Sequence, residues 1–302
     1  MKKYALEYSG YKFDYFSNLG DEIQTLAAVR LLNGVDGYIG REALNAWNGL
    51  GLVSLNGFFM GSGNWPPSPG LAPVFFSFHI NKAYESVICS PAGLDYLRRH
   101  EPIGCRDRGT LSILEKHGIK AFYSRCVTLT LPPREPSPEA REVFIVGVDK
   151  ELEQVIPRAL RKEAVKINQS SVRLPLLSCE LKREMAQQLL DGYARRAKLV
   201  ITSKIHCAMP CIAMGIPVVF LYPKEKLNDY RVHLVGDILP INYVPRSSLI
   251  RRLGLQKLLT KKIDWSPQAV NIEAIKEEVA RGYAEAVARA LQAAGHSTVS
   301  SQ

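Results

Sequence analysis

Three short segments set polar residues where they could do chemistry. The first is Asn18-Leu19-Gly20-Asp21-Glu22. Gly20 permits a tight turn and close backbone approach, and Asp21 could accept or orient a proton. Asn18 and Asp21 are also good helix caps, which is the plainer reading of both. The second is Gly104-Cys105-Arg106-Asp107-Arg108-Gly109. Asp107 suits a helix start, but Arg106 does not, because a cation there opposes the helix dipole. It makes sense if an anion sits there too, where helix amides and a guanidinium fork converge on phosphate or carboxylate. A surface ion pair is the plainer alternative. The third is Thr202-Ser203-Lys204-Ile205-His206-Cys207-Ala208. Ser203 is expected as the N-cap and Lys204 in the first turn. His206 is expected near the mouth of a cleft, where imidazole suits proton transfer near neutral pH. A lone histidine is more often structural, and the neighbouring lysine is what raises its interest. His79 follows the run Val74 to Phe78 and could line the same cleft.

These segments need elements to position them. Short β-branched runs alternate with amphipathic runs, which predicts α/β layers with mostly parallel strands. Helices are expected over 21–32, 109–117, 179–196 and 267–293. Strands are expected over 51–59, 73–79, 119–123, 127–131, 142–149, 198–202 and 217–222. Pro210 should either kink its helical run or mark the first turn. The final helix spaces Ile272, Ile275, Val279, Tyr283, Val287 and Leu291 as one apolar face. Pro132 to Pro138 reads as a linker, so the expected domains are 1–135 and 139–302. Each would carry one cationic strand-to-helix junction, which predicts an anionic small substrate in the cleft between them. The residues alone do not separate a phosphosugar enzyme from a nucleotide-sugar transferase.

The 302 residues carry 39 Lys and Arg against 29 Asp and Glu, a net charge of +10. The composition is that of a folded globular chain, not a disordered one. The most apolar stretch, Cys211 to Tyr222, is broken by Gly215 and Pro217 and is too short to span a membrane. Glu7 interrupts any signal-peptide core, so none is expected. Six cysteines are too sparse for a disulfide scaffold and suggest reduced thiols in the cytoplasm. Cys207, Cys211 and His206 lack further ligands at useful spacing, so no metal is expected. The densest basic stretch, 246–262, contains no acid and no aromatic residue. That argues against single-strand nucleic-acid binding. A solvated face is the plain reading, and peripheral contact with an anionic membrane leaflet is another.

The same segments resemble the polysaccharide pyruvyl transferase family. The resemblance runs through Asn18 to Gln24, Asn56 to Met60, Asn64 to Pro69, Phe76 to Ile80, Pro102 to Asp107, Ser124 to Leu131 and Ile201 to Cys211. It implies two Rossmann-like domains facing a cleft, similar to GT-B glycosyltransferases. It implies transfer of a pyruvyl group from phosphoenolpyruvate to sugar hydroxyls, giving a ketal on a surface polysaccharide or lipid-linked precursor. Phosphoenolpyruvate would be a co-substrate, with no cofactor or metal required. The resemblance puts donor binding on Arg106 and Lys204, a proton donor at His206 and Asp21 near donor or acceptor. Asn18, Gly20 and His79 join them as candidates lining the site. Family members carry Arg where this chain has Lys204, and lysine binds phosphate as a point charge rather than a fork. Trp65 could stack on a sugar or simply pack. The competing readings are a nucleotide-sugar glycosyltransferase and a basic, non-catalytic glycan or membrane adaptor.

Overall fold

The computed structural model describes residues 1–8, 17–59, 63–170, 177–246 and 261–299. Its apolar runs form two separate sheets, and every strand pairing in them is parallel. The first contains β1 (Lys3–Glu7), β2 (Gly37–Gly40), β3 (Gly51–Phe59), β4 (Leu71–Ile80), β5 (Ile103–Cys105) and β6 (Ala121–Tyr123). Their order is β2-β1-β3-β4-β5-β6. The second contains β7 (Glu142–Val146), β8 (Val165–Ile167), β9 (Ala197–Thr202), β10 (Val218–Pro223) and β11 (Ile241–Val244), in the order β11-β10-β9-β7-β8. Strand order reverses at β1/β3 in one sheet and β7/β9 in the other. Open α/β sheets bind ligands at the carboxyl ends of strands at such points.

Helices α1 (Leu19–Leu31), α2 (Pro91–Arg99), α3 (Arg108–Lys116), α4 (Cys179–Arg196), α5 (Ile205–Ala213) and α6 (Glu273–Val299) cover the sheets. Helix α1 is buried from Leu19 through Thr25, polar residues included. Thr25 donates to the Leu6 carbonyl at 2.9 Å and Gln24 to the Gly20 carbonyl at 3.4 Å, whereas the Glu22 carboxylate has no hydrogen-bond partner among the described residues. One apolar cluster joins Ile23 and Ala27 of α1 with Phe76 of β4, Phe144 of β7 and Cys207, Cys211 and Met209 of α5. Core therefore fills the space between the sheets as well as their outer faces.

Two expectations fail in instructive ways. Residues 127–131 are not a strand. Val127–Thr130 form a 3-10 turn, closed by the Thr130 hydroxyl on the Val127 carbonyl at 2.8 Å. The chain leaves β6 through Arg125 at φ 62°, which carries it under α1 instead of along the sheet. The last helix begins at Glu273, later than expected, and packs on the first sheet although its sequence follows the second. Tyr283 lies edge-on to Phe76 at 5.5 Å and donates to Ser54 at 2.8 Å. A Phe-sized side chain buried this way contributes roughly 1.5–3 kcal/mol. Its buried face drifts to Ala286 and Ala290, which leaves Leu291 exposed. All six cysteines are free. Among the described residues, no helix is long and apolar enough to cross a membrane.

Candidate active site

A cleft of about 630 Å³ opens at the carboxyl ends of both sheets. Its walls come from the carboxyl ends of β4 and β10 and from the chain after β1, β5, β7, β8, β9 and β10, as strand-end geometry requires.

At the β5–α3 junction the charges are partnered. Asp107 caps α3, accepting from the Thr110 amide at 2.9 Å. Its other oxygen sits 2.6 Å from Nδ1 of His79. Burial alone would raise the Asp107 carboxyl, but the His79 hydrogen bond and the nearby positive charge hold it below its usual value. Burial and the Arg106 charge lower His79 to about 4 against the pull of Asp107. The 2.6 Å contact joins the Asp107 carboxyl to the His79 ring and fixes the ring's orientation. Arg106 lies just before the cap, outside the helix, so the expected clash with the dipole does not arise. Its amide bonds the Phe78 carbonyl at 2.8 Å, and its guanidinium reaches Gln24 Oε1 at 3.2 Å.

His79 faces this site because β4 carries a bulge. Ser77 adopts φ 56°, and the register with β3 shifts between Leu55 and Gly57. Phe75 and Phe78 consequently share the outer face, and His79 turns inward with Phe76. Such strain in a non-glycine residue costs of order 1–3 kcal/mol. Three hydrogen bonds through Ser77 to Ser124, Arg125 and Val127, all 2.7–2.9 Å, hold it.

The β9–α5 junction is built differently. Thr202, not Ser203, organises the turn: its hydroxyl accepts from the Lys204 amide at 3.0 Å and donates to the Val146 carbonyl at 2.8 Å. Lys204 occupies the cap position without a side-chain cap. Pro210 has no N–H for the His206 carbonyl one turn earlier, and its ring crowds that oxygen. The backbone yields at His206, with φ −83° and ψ 23°. Gln169 Nε2 then donates to the His206 carbonyl at 3.1 Å. The imidazole is laid against Gly20, where a Cβ would meet His206 Cβ at 3.0 Å. His206 therefore sits deeper than the expected cleft mouth. Its Nε2 is shielded from solvent and has no hydrogen-bond partner among the described residues. Burial, then the charges of Arg106 and other neighbours, holds its pKa well below 6.5. Lys204 lies over Gly147, whose φ is +57° and whose missing side chain makes the room. Burial lowers the Lys204 ammonium, and Lys226 and Arg231 add repulsion. Arg231 is itself anchored by Asp229 at 2.7 and 2.8 Å. Among the described residues, Lys204 and Lys226 form no ion pair, while Arg231 is held by Asp229.

A family model for polysaccharide pyruvyl transferase matches residues 18–225. The chain belongs to that family. It is thus a transferase enzyme. No curated protein matches the chain.

In this pyruvyl transferase family member, Asn18, Asp21, His79, Arg106, Lys204 and His206 all line the one cleft. Gly20 lies beneath His206. Asn18 also caps α1, accepting from the Gly20 amide at 3.1 Å. Burial raises the Asp21 carboxyl, offset by Arg41 and Arg106. Trp65 stays outside the cleft and packs against Phe75, Phe78 and Tyr96. Arg246 pairs with Asp149 at the cleft edge, and Lys261 and Lys262 are exposed. The rest of the basic 246–262 stretch lies outside the described residues. Sequence reasoning missed Gln24, Gln169, Lys226 and Arg231. The last two follow β10, so the strand-end rule could have found them. Nothing in the spacing of Gln24 or Gln169 signals a role. Among the described residues, no three His, Cys, Asp or Glu side chains gather as a metal site.

Proposed function

We propose that the transferase moves a pyruvyl group from phosphoenolpyruvate to two hydroxyls of one sugar in a cell-surface polysaccharide or its lipid-linked precursor, giving a ketal. The observation that carries this is the pairing of a partnerless, shielded His206 Nε2 with unmatched cations in the cleft. Arg106 and Lys204 bind the donor's carboxylate and phosphate. His206 supplies the proton for C3 of the enol. Empty, the site keeps His206 neutral. A donor bearing several negative charges offsets Arg106 and Arg231 and draws a proton onto the ring, so the acid is armed only when its substrate is bound. Asp21 orients the acceptor or the donor. His79, held by Asp107, and Asn18 line the pocket.

The two parallel sheets meeting at a cleft support a reading as two Rossmann-like units, 1–135 and 139–302, similar to GT-B glycosyltransferases. Helix α6 would then tie the second unit back to the first. Unpaired cysteines suit a cytoplasmic setting, and the +10 charge suits work at the anionic inner face of a membrane. The test is incubation with phosphoenolpyruvate and a panel of acceptor glycans, read by mass spectrometry for a pyruvyl ketal. Nucleotide sugars form the control arm. Glycosyl transfer from one of them, with none from phosphoenolpyruvate, would replace this reading.

A further inference from the structure

Glu22 has no structural explanation in the fold. It is 1% exposed, and neither carboxylate oxygen has a hydrogen-bond partner among the described residues. Its two cationic neighbours on α4 are engaged elsewhere. Lys182 donates to the Tyr8 carbonyl at 3.2 Å, and Arg183 reaches Glu7 at 3.4 Å while stacking on Tyr38. An acid in the first turn of a helix gains from the dipole, but a hydrated surface acid would gain the same without the cost of burial. Glu22 lines the cleft, on the same helix turn as Asp21 and Gly20, and Gly20 touches His206. A carboxylate is an acceptor only, and what it lacks is a donor such as a hydroxyl.

Ketal transfer has a matching need. We propose that Glu22 is the base that takes a proton from an acceptor hydroxyl, an assignment that rests on the transfer reading above. The hydroxyl O–H bond breaks toward Glu22, and its oxygen forms the bond to C2. The C2=C3 electron pair takes the proton of His206 at C3. A second hydroxyl then replaces phosphate at C2. The C2–O bond to phosphate breaks with its electron pair, and the second hydroxyl proton leaves with the phosphate. Two hydroxyl protons are lost; the net gains are one proton on C3 and one on phosphate. Protonated Glu22 and neutral His206 reset through solvent.

Burial raises the Glu22 carboxyl to about 7, with Asp21 and Glu7 adding to the rise and Arg183 and Lys182 opposing it. A base with that value works best near neutral pH.

The test compares wild type with Glu22→Gln and Glu22→Asp, using phosphoenolpyruvate and an acceptor glycan that the wild type modifies. The Gln variant should bind phosphoenolpyruvate with affinity within about twofold of wild type, lose transfer by about 100-fold or more, and lose the acid limb of the rate–pH profile. The Asp variant should keep that limb with a smaller loss of rate. Transfer by the Gln variant within about threefold of wild type overturns the assignment, as does a rate loss matched by lost phosphoenolpyruvate affinity. If the Gln variant does not fold, an Asp variant without the acid limb overturns it. Wild-type protein that neither binds nor uses phosphoenolpyruvate overturns the reading beneath it, and the assignment with it.

Discussion

The two cationic junctions of the cleft solve the same problem in opposite ways. At β5–α3, Arg106 is tied to Gln24, Asp107 caps the helix, and His79 is pinned by Asp107. Arg106 Nε lies 3.6 Å from Asp107 and has no hydrogen-bond partner among the described residues, so most but not all of that network is closed. At β9–α5, among the described residues Lys204 has no acid to pair with and His206 Nε2 has no hydrogen-bond partner. The first junction is held mostly by partners within the fold. The second is left unsatisfied, a cost to stability that the proposed anionic donor would offset. Groups whose partners are missing respond most to a substrate, and here they sit together.

The sharpest way to break this contrast is at His206. His206→Ala should lower transfer about 10²–10⁴-fold and leave the melting temperature unchanged or raised. Because the folded-state pKa lies below 6.5, the unfolded chain binds more protons as pH falls through about 6.5. The wild type loses stability there, and the variant should lose less. A variant that melts well below wild type would make His206 structural. Next comes a paired test. Arg106→Ala should weaken phosphoenolpyruvate binding and also destabilise the fold by roughly 1–3 kcal/mol, because it strands buried partners. Lys204→Met should weaken binding without destabilising. Calorimetry and thermal melts on both variants decide it, and equal stability losses would erase the distinction. Gly147→Ala tests the packing beneath Lys204. Its new Cβ would collide with Lys204 Cε in a left-handed backbone, so binding should fall several-fold with a stability loss of about 1 kcal/mol. The smallest effect belongs to Asp107→Asn. Asn keeps the cap, but the stability that the low-pKa carboxylate supplies above about 3.8, and loses as pH falls below it, should disappear from the acid melting profile.

Much of this was legible in the sequence, for identifiable reasons. Strands and helices whose apolar period was long and uninterrupted, such as 179–196 and 51–59, lie where expected. Arg106 and Lys204 stood out because cations at helix starts oppose the dipole, a local conflict visible in one dimension, and His206 because an imidazole lay beside that lysine at a strand-to-helix junction. What escaped is long-range. Gln24 and Gln169 matter through hydrogen bonds to residues 82 and 37 positions away. The turn at Ser77 to His79 depends on a bulge against another strand. Residues 127–131 have strand-forming composition, yet Arg125 at φ 62° turns them away from the sheet into a 3-10 turn. Pro210 was visible as a kink, but its effect on the His206 carbonyl needed Gln169 to be seen.

The central claim is that the cleft holds His206 neutral when empty and protonates it when the anionic donor binds. It is tested most directly by calorimetric titration of phosphoenolpyruvate near pH 7 in buffers of different ionisation enthalpy. The wild type should take up protons as phosphoenolpyruvate binds, and His206→Ala should not. Binding with no proton uptake, or with uptake that the variant retains, would contradict it.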